Sequence, residues 1–170
     1  MSTHDRTEFG VWAAAARPRL RRTGFLLSGD WHLAEDLAQE TLVRIYAVWP
    51  KVSRSGSPDA YARQTLVNEY RGTLRRPWRR EHVTDVVPDR AAGEIGTHDD
   101  RDALLAALAG LGTSQRTIVV LRYWEDMSVN DVADLLRLSP ATVRSQASRA
   151  LLSLRNRLPD MHPSSGTNHE

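Results

Sequence analysis

The chain contains no cysteine, which excludes disulfide bonds and thiolate metal sites. It also has no run of about 18 apolar residues, the length that a membrane-spanning helix requires. Its first residues do not form the apolar core of a signal peptide. We therefore expect a cytoplasmic protein without membrane insertion, and the absence of cysteine fits a reducing compartment.

The sequence also lacks the motifs of common enzymes. It has no glycine-rich phosphate-binding loop, no nucleophile elbow and no His-Glu-x-x-His pair. Its six histidines never occur at the spacing of metal ligands. These absences predict a protein that is not an enzyme and that uses no metal, no cofactor and no small-molecule substrate.

Lysine is nearly absent: of the 23 lysine and arginine residues, Lys51 is the single lysine. Arginine is the better residue for bidentate phosphate and guanine contacts, although G+C-rich coding would produce the same preference. The formal net charge is only +2, but residues 1–80 carry +6, residues 81–104 carry −5 and residues 105–157 carry +3. Two basic segments therefore flank an acidic one.

Residues 128–157 are predicted to form two helices joined by a tight turn. Ser128 and Ser139 are suitable N-caps, and Pro140 occupies the first helical position of the second helix. Apolar residues at helical spacing should face the core. They are Val129, Val132, Ala133, Leu135 and Leu136 in the first helix, and Val143, Ala147, Ala150, Leu151 and Leu154 in the second.

The opposite face of the second helix has cations and small hydroxyls but no acid. Its residues are Thr142, Arg144, Ser145, Ser148, Arg149 and Arg155. Such a face suits the major groove of DNA, where these side chains can contact base edges. An ordinary helical hairpin with a solvated arginine face explains the periodicity equally well, so this pattern alone leaves both interpretations open.

The N-terminal half is predicted to hold helices separated by proline and glycine. After a frayed N-terminus a helix begins at Glu8, is stopped or kinked around Pro18, and is followed by a second piece that ends at Ser28–Gly29. Asp30 should cap the next helix, which Pro50 should end. The outer side of that helix is either a solvated charged face or a docking surface for a partner. It carries Glu35, Asp36, Gln39, Glu40 and Arg44.

A further helix is predicted to begin at Ser57–Pro58 and to end in a basic cluster. Its outer side carries Arg63, Val67, Asn68, Arg71 and Arg75, and the cluster continues with Arg76, Trp78, Arg79 and Arg80. Cations interleaved with an aromatic ring suit melted nucleic acid, through phosphate contacts and base stacking. The alternative is a solvated basic helix end, which the helix dipole favours.

Residues 83–98 have no periodicity and contain proline, glycine and acid, which is typical of a linker. Leucines from Leu104 onward predict another helix, Gly112 breaks it, and Thr113 or Ser114 should cap the next. The prediction is an all-α protein of two small helical domains joined by a flexible acidic linker. The domains cover residues 8–82 and 99–158, and residues 159–170 form a disordered tail.

Two segments resemble the extracytoplasmic-function group of RNA polymerase sigma factors in the sigma-70 family. The region 4 helix-turn-helix of that group is similar to LRYWEDMSVNDVADLLRLSPATVRSQASRALLSLR. Its region 2 is similar to GDWHLAEDLAQETLVRIYAVWPKV followed by SPDAYARQTLVNEYRGTLRRPWRRE. The likeness covers residues 8–157 and points to the SigE-like actinobacterial subset. It implies a sigma factor that binds core RNA polymerase and directs transcription initiation; a stand-alone helix-turn-helix regulator and a helical adaptor are the alternatives.

The resemblance also implies residue roles. Binding to core RNA polymerase falls to Asp36, Gln39 and Glu40. Contacts to the −10 element of promoter DNA fall to Asn68, Arg71, Arg75, Arg76, Trp78, Arg79 and Arg80, and contacts to the −35 element fall to Thr142, Arg144, Ser145, Ser148 and Arg149. Family members are often held inactive by an anti-sigma factor, which is therefore a candidate partner. Arg137 stands where the family usually has glycine, so a left-handed backbone there would cost about 1 kcal/mol.

Overall fold

The computed structural model describes residues 1–75 and 98–158, without the side chains of residues 98 and 99. The chain divides into two compact units, Met1–Pro88 and Asp89–Glu170. The first contains α1 (Thr3–Ser28), α2 (Trp31–Val52) and α3 (Pro58–Leu74); the second contains α4 (His98–Ala109), α5 (Thr113–Val119), a π-helical turn (Val120–Trp124), α6 (Val129–Leu136) and α7 (Pro140–Arg157). Every regular element over the described residues is helical, which confirms the predicted fold class.

Parts of two predictions lie beyond what the structure describes. The predicted linker falls outside the described residues except for His98, which opens α4. The predicted tail, residues 159–170, falls outside them entirely. None of the described helices combines the length and the apolar character that crossing a bilayer requires.

The start of α1 is capped, so the prediction of a frayed N-terminus was wrong. The Ser2 hydroxyl accepts a hydrogen bond from the Asp5 N–H at 3.1 Å, and the Asp5 carboxylate accepts one from the Ser2 N–H at 2.8 Å. This reciprocal pair is a capping box, which satisfies two otherwise unpaired donors. Hydrogen bonds to the Asp5 carboxylate, first of all from the Ser2 backbone N–H, lower the pKa of Asp5 below its ordinary value.

Two prolines lie inside helices that were predicted to stop or kink at them. Pro18 lies within the 26-residue helix α1, and Pro50 lies within α2, which continues to Val52. A proline inside a helix costs about 3 kcal/mol, because it lacks an N–H and its ring crowds the preceding turn. Buried residues follow or flank each proline, among them Leu20 after Pro18 and both Trp49 and Val52 around Pro50. Tertiary packing therefore holds both helices together.

The turn between α1 and α2 has the predicted caps. Gly29 ends α1 in the left-handed region with φ 74°. The Asp30 carboxylate caps α2 by accepting from the N–H groups of His32 and Leu33 at 2.8 and 3.2 Å. The two helices approach closely near this turn. A Cβ added at Gly24 would lie only 3.1 Å from the Ala34 Cα, so the glycine permits this approach.

The core of the first unit lies between α1, α2 and α3. The helical spacing of α2 predicts a stripe of Leu33, Leu37, Thr41, Ile45 and Val48. Leu37, Thr41 and Ile45 are buried, and Leu33 and Val48 are half-buried.

In α3 the helical spacing of apolar residues predicts a buried stripe of Ala62, Leu66, Tyr70 and Leu74. The first three are buried, but Leu74 is 38% exposed, and Val67, which was placed on the outer side, is fully buried. The outer placement was wrong because α3 packs against both α1 and α2, which widens its buried face.

In the second unit, α5 and α6 pack against α7 around a core that includes Ile118, Leu121, Val132 and Val143. Gly112 is the N-cap of α5 and makes no side-chain hydrogen bond, so the prediction of a cap at Thr113 or Ser114 was wrong.

The helix-turn-helix forms as predicted. The Ser128 hydroxyl accepts from the Asp131 N–H, and the Ser139 hydroxyl accepts from the Thr142 N–H, both at 3.0 Å. Arg137 ends α6 in the left-handed conformation, with φ 57° and ψ 47°. The cost expected for a non-glycine residue there, about 1 kcal/mol, therefore applies to this chain.

One core prediction in α7 was wrong. The side chain of Leu151 is 38% exposed, whereas Val143, Ala147, Ala150 and Leu154 are buried. Successive residues of an α-helix are about 100° apart, so Leu151 is turned away from the stripe that contains Ala150. The narrow stripe reflects a helix that packs on one side only.

Candidate polymerase and promoter interfaces

The outer face of α7 is formed by residues at its N-terminal half. Arg144, Ser145, Ser148 and Arg149 are exposed, and Thr142 is half-buried. The Thr142 hydroxyl is 2.8 Å from the Ser139 hydroxyl. Thr142 therefore contributes to the helix cap, while the other four predicted residues form a continuous exposed face.

This face has an uncompensated positive charge. The sequence from Leu135 to Leu158 contains no aspartate or glutamate. Within the described residues, the guanidinium groups of Arg144 and Arg149 make neither a hydrogen bond nor an ion pair. Ser145 donates a hydrogen bond to the Thr142 carbonyl at 3.1 Å, which satisfies its proton and leaves oxygen lone pairs available. Both arginines therefore have their donors available for phosphates or base edges.

Sequence reasoning missed Leu152 on the same side of the helix. Its side chain is 58% exposed. Ser148 follows Ser145 by three residues and Leu152 follows Ser148 by four, so Leu152 extends their stripe by one turn. The helical spacing could have revealed it, but the prediction of the outer face included only polar side chains.

The exposed face of α2 has the opposite character. Asp36, Gln39 and Glu40 are all exposed, and their spacing puts them along one side of the helix. Two large apolar side chains continue this side toward the C-terminus of α2: Val43 is 64% exposed and Tyr46 is 42% exposed. The structure therefore brings the three predicted residues together beside an apolar extension that the sequence prediction did not include.

The Glu35 carboxylate is bound by side chains of α1 and α2. It pairs with Arg17, lies 2.9 Å from the Nε of Arg21, and accepts a weaker bond from Gln39 at 3.4 Å. The hydrogen bond from Arg17 is the main cause that lowers the pKa of Glu35 below its ordinary value of 4.5. Arg21 also lies over the ring of Trp31, with its guanidinium carbon 4.6 Å from the ring centroid. Glu35 therefore joins α1 to α2.

Arg44 connects the α2 face to α3. Its Nε lies 2.9 Å from a Glu40 carboxylate oxygen and 3.0 Å from a Glu69 carboxylate oxygen. The Glu40–Arg44 pair has the i, i+4 spacing that is visible in the sequence. The link to Glu69 depends on how α2 packs on α3, so the sequence gives no signal for it.

A second connection fixes the start of α3. Asp59 lies in its first turn and accepts hydrogen bonds from the Trp12 Nε1 at 3.1 Å and from Arg19 at 2.7 Å. Trp12 also contacts the buried ring of Trp49, with 5.2 Å between centroids. These contacts hold α3 at a defined position relative to α1 and α2, and sequence reasoning missed them.

The other end of α3 carries the first of the predicted −10 residues. Asn68 and Arg75 are exposed and Arg71 is half-buried. The guanidinium groups of both arginines make no hydrogen bond or ion pair with any residue that the structure describes. The rest of the predicted cluster, Arg76, Trp78, Arg79 and Arg80, lies outside the described residues.

Two family models match the chain, and they match its two halves. The sigma-70 region 2 model covers residues 12–80, and the sigma-70 region 4 model covers residues 101–154. The RNA polymerase sigma-E factor of Streptomyces avermitilis is 35% identical over 152 residues, which are 89% of this chain and 85% of that protein. The ECF RNA polymerase sigma factor ShbA of Streptomyces griseus is 32% identical, over 82% of this chain and 77% of that protein. The chain belongs to the extracytoplasmic-function sigma factors.

This membership confirms the predicted family and function, since both regions occur in the expected order. The match to region 2 distinguishes this sigma factor from a stand-alone helix-turn-helix regulator. The sigma factor RpoE from Bartonella quintana, solved in complex with the anti-sigma factor NepR, is similar to this sigma factor with a TM-score of 0.75 and 25% identity. The likeness covers 91% of this chain and 99% of that one. CnrH, solved in complex with the cytosolic domain of CnrY, shares the fold with a TM-score of 0.64 at 19% identity, over 92% of this chain and 91% of that one.

Proposed function

We propose that this sigma factor uses three separate surfaces in transcription initiation. Asp36, Gln39 and Glu40 of α2 dock on core RNA polymerase; Asn68, Arg71, Arg75, Arg76, Trp78, Arg79 and Arg80 contact the −10 element; and Thr142, Arg144, Ser145, Ser148 and Arg149 contact the −35 element. We place the first two surfaces in a region 2 domain, residues 8–82, and the third in a region 4 domain, residues 99–158.

The observation that carries this proposal is the opposite chemistry of two exposed helix faces. The α7 face is free of acid and has unpaired arginines, which suits a polyanion. The α2 face presents carboxylates, which DNA would repel and a basic protein surface would attract. A protein with both faces can hold DNA with one unit and a protein partner with the other.

At the −35 element, Arg144 and Arg149 are the residues suited to specific contacts. An exposed guanidinium can bind the O6 and N7 acceptors of guanine with two hydrogen bonds. Ser145 and Ser148 are small enough for the helix to lie close to the base edges, and their hydroxyls can bond to any base. Thr142 positions the N-terminus of α7 through the Ser139 cap.

At the polymerase, the α2 face has the composition of a protein interface. Its apolar extension, Val43 and Tyr46, would supply a desolvated centre, and Glu40 would lie at a polar rim. Arg44 holds the Glu40 carboxylate from one side, which limits the conformations that the carboxylate must lose on binding. In this scheme the polymerase catalyses RNA synthesis and the sigma factor catalyses no reaction. The complex of the two works in the cytoplasm.

At the −10 element, α3 positions the first residues of the cluster. Asp59 fixes the start of this helix against α1, so Asn68 and Arg75 are carried on a supported scaffold. The arginines can neutralise phosphates, while Trp78 can stack on a base of a melted strand.

An anti-sigma factor is a further candidate partner. The relative with the TM-score of 0.75 was solved in complex with an anti-sigma factor, and it is similar to this sigma factor over nearly its whole length. Such a partner would compete with polymerase or DNA for the same exposed faces.

Run-off transcription with purified core RNA polymerase tests the proposed function. We expect transcripts from a subset of genomic promoter fragments only when this sigma factor is added. Core polymerase alone and a fragment with a scrambled −35 element are the matched controls. Failure to initiate on any fragment would contradict the proposal.

A further inference from the structure

Arg137 combines an unfavourable backbone with an exposed charge. It lies in the turn between α6 and α7 and is one of two non-glycine residues with positive φ in the described parts of the chain, the other being Asp126. Aspartate tolerates the left-handed region because its short side chain can bond locally, whereas arginine has no such compensation. Glycine would adopt the turn without strain.

The charge of Arg137 is not used inside the protein. Its guanidinium makes no hydrogen bond or ion pair with any described residue, although α6 carries two carboxylates nearby. Asp131 is engaged by the Ser128 hydroxyl at 2.7 Å. Asp134 is three residues before Arg137 and its carbonyl accepts the Arg137 N–H at 3.3 Å, yet the two side chains form no ion pair. An intramolecular role therefore does not explain why a cation occupies this turn.

The position of the turn suggests what the cation contacts. In a helix-turn-helix, the first helix crosses the DNA backbone and the second lies in the major groove, so the turn between them lies at the groove edge, where phosphates are exposed. Arg137 is two residues before Ser139, the N-cap of α7. It is also the first arginine of an acid-free stretch that continues to Leu158, so no nearby carboxylate in the following helix competes for it.

We propose that Arg137 binds a backbone phosphate at the edge of the −35 element. This contact fixes the register of α7 in the groove and carries no base specificity, because a phosphate is the same at every position. The inference rests on the proposed −35 role of α7, and it adds a residue that the predicted reading face does not include.

The test compares Arg137→Gly and Arg137→Lys in holoenzyme assembled from core polymerase and the full chain. Arg137→Gly removes the positive charge and relieves the backbone strain. Arg137→Lys keeps the positive charge and the backbone strain. Arg155→Ala is the positional control, because Arg155 is an exposed arginine of α7 that lies outside the proposed −35 residues and has no partner among the described residues. The dissociation constant for a promoter duplex is measured by fluorescence anisotropy over a series of KCl concentrations, after each variant is shown to form holoenzyme.

Loss of one phosphate contact should weaken binding by about fivefold at low salt and reduce the slope of log K against log salt by about 1. We expect this for Arg137→Gly on both the cognate duplex and one with an altered −35 sequence, and near wild-type binding for Arg137→Lys. Unchanged affinity and slope in Arg137→Gly would overturn the inference, as would equal losses in Arg137→Lys or a loss confined to one sequence. If the wild-type holoenzyme bound and initiated at no promoter, the proposed function itself would fail, which is a different outcome from a normal wild type with an unaffected variant.

Discussion

Arginines of α1 and α2 hold carboxylates, whereas the exposed arginines of α7 hold none among the described residues. Arg17 and Arg21 bind Glu35, Arg19 binds Asp59, and Arg44 binds both Glu40 and Glu69. Arg144 and Arg149 have no such partner. Both units are rich in arginine, so composition does not separate them. The placement of acids does, because α2 carries Glu35 and Glu40 while α7 carries no acid.

Arginine therefore has two different roles in this protein. A paired arginine joins helices, and its charge is partly neutralised before any partner arrives. For an unpaired arginine on a rigid helix, the free-energy cost of binding a phosphate or a guanine is small, since no internal ion pair must be broken first. The paired arginines of α1 and α2 therefore join helices, whereas Arg144 and Arg149 of α7 keep their donors available for a ligand.

The largest expected effect comes from removing the unpaired arginines of α7. Each bidentate arginine–guanine contact is worth about 1–3 kcal/mol of discrimination, so Arg144→Ala with Arg149→Ala should reduce initiation by roughly 30-fold or more. Run-off transcription on a cognate promoter measures this effect. Thermal unfolding should change little, because neither side chain has a partner among the described residues.

The matched control for that variant is Arg155→Ala, which removes an exposed arginine from the same helix. It should change initiation by less than about threefold, the range of a surface charge. If Arg144→Ala, Arg149→Ala and Arg155→Ala had equal effects, the assignment of the reading face would be wrong.

A second pair of variants separates binding from folding on α2. Glu40→Gln should weaken binding to core RNA polymerase by about fivefold or more, because it removes a charge from the proposed interface. Glu35→Gln should leave that affinity unchanged and lower the free energy of unfolding by roughly 0.5–1 kcal/mol, because Glu35 is committed to Arg17 and Arg21. Biolayer interferometry with core polymerase and urea unfolding measure the two quantities.

The opposite pattern in this pair would break the comparison. If Glu35→Gln reduced polymerase affinity while Glu40→Gln reduced only stability, the docking face would include Glu35. The assignment of Glu40 to the interface would then be wrong.

A third prediction concerns the strained turn in the second unit. Arg137→Gly should raise the free energy of unfolding by about 1 kcal/mol, because glycine adopts the left-handed conformation without steric cost. Chemical denaturation of the full chain measures the change. The same substitution at Arg149, which lies in the interior of α7, is the control and should destabilise the protein by about 1 kcal/mol.

The features that the sequence predicts well are local. The caps at Asp30, Ser128 and Ser139 follow from a hydroxyl or carboxylate placed before an apolar periodic segment, and all three form. The exposed face of α7 is predicted for a similar reason, because the spacing of its apolar residues leaves the opposite side to solvent.

The features that the sequence does not predict depend on packing between helices. Local rules stop or kink a helix at Pro18 and end one at Pro50, but burial of neighbouring side chains offsets the cost. The link from Arg44 to Glu69 and the link from Trp12 to Asp59 join residues that are far apart in the chain, so no spacing rule reveals them. Val67 is buried because α3 contacts two helices.

The smallest expected effect is a pH dependence confined to the paired side of the comparison. Arg17 lowers the pKa of Glu35 in the folded protein, so this carboxylate stabilises the fold above its unfolded pKa and loses that contribution as pH falls through the lowered, folded value. Arg17→Ala should therefore raise the pKa of Glu35 toward 4.5 and flatten the loss of stability below that pH. Carbon-13 NMR titration of the Glu35 carboxyl measures the shift, with Arg6→Ala as the control because Arg6 is an exposed α1 arginine that holds no described carboxylate. An unchanged titration in Arg17→Ala would mean that the Arg17–Glu35 pair does not persist in solution, and the contrast between paired and unpaired arginines would then rest on Arg19, Arg21 and Arg44.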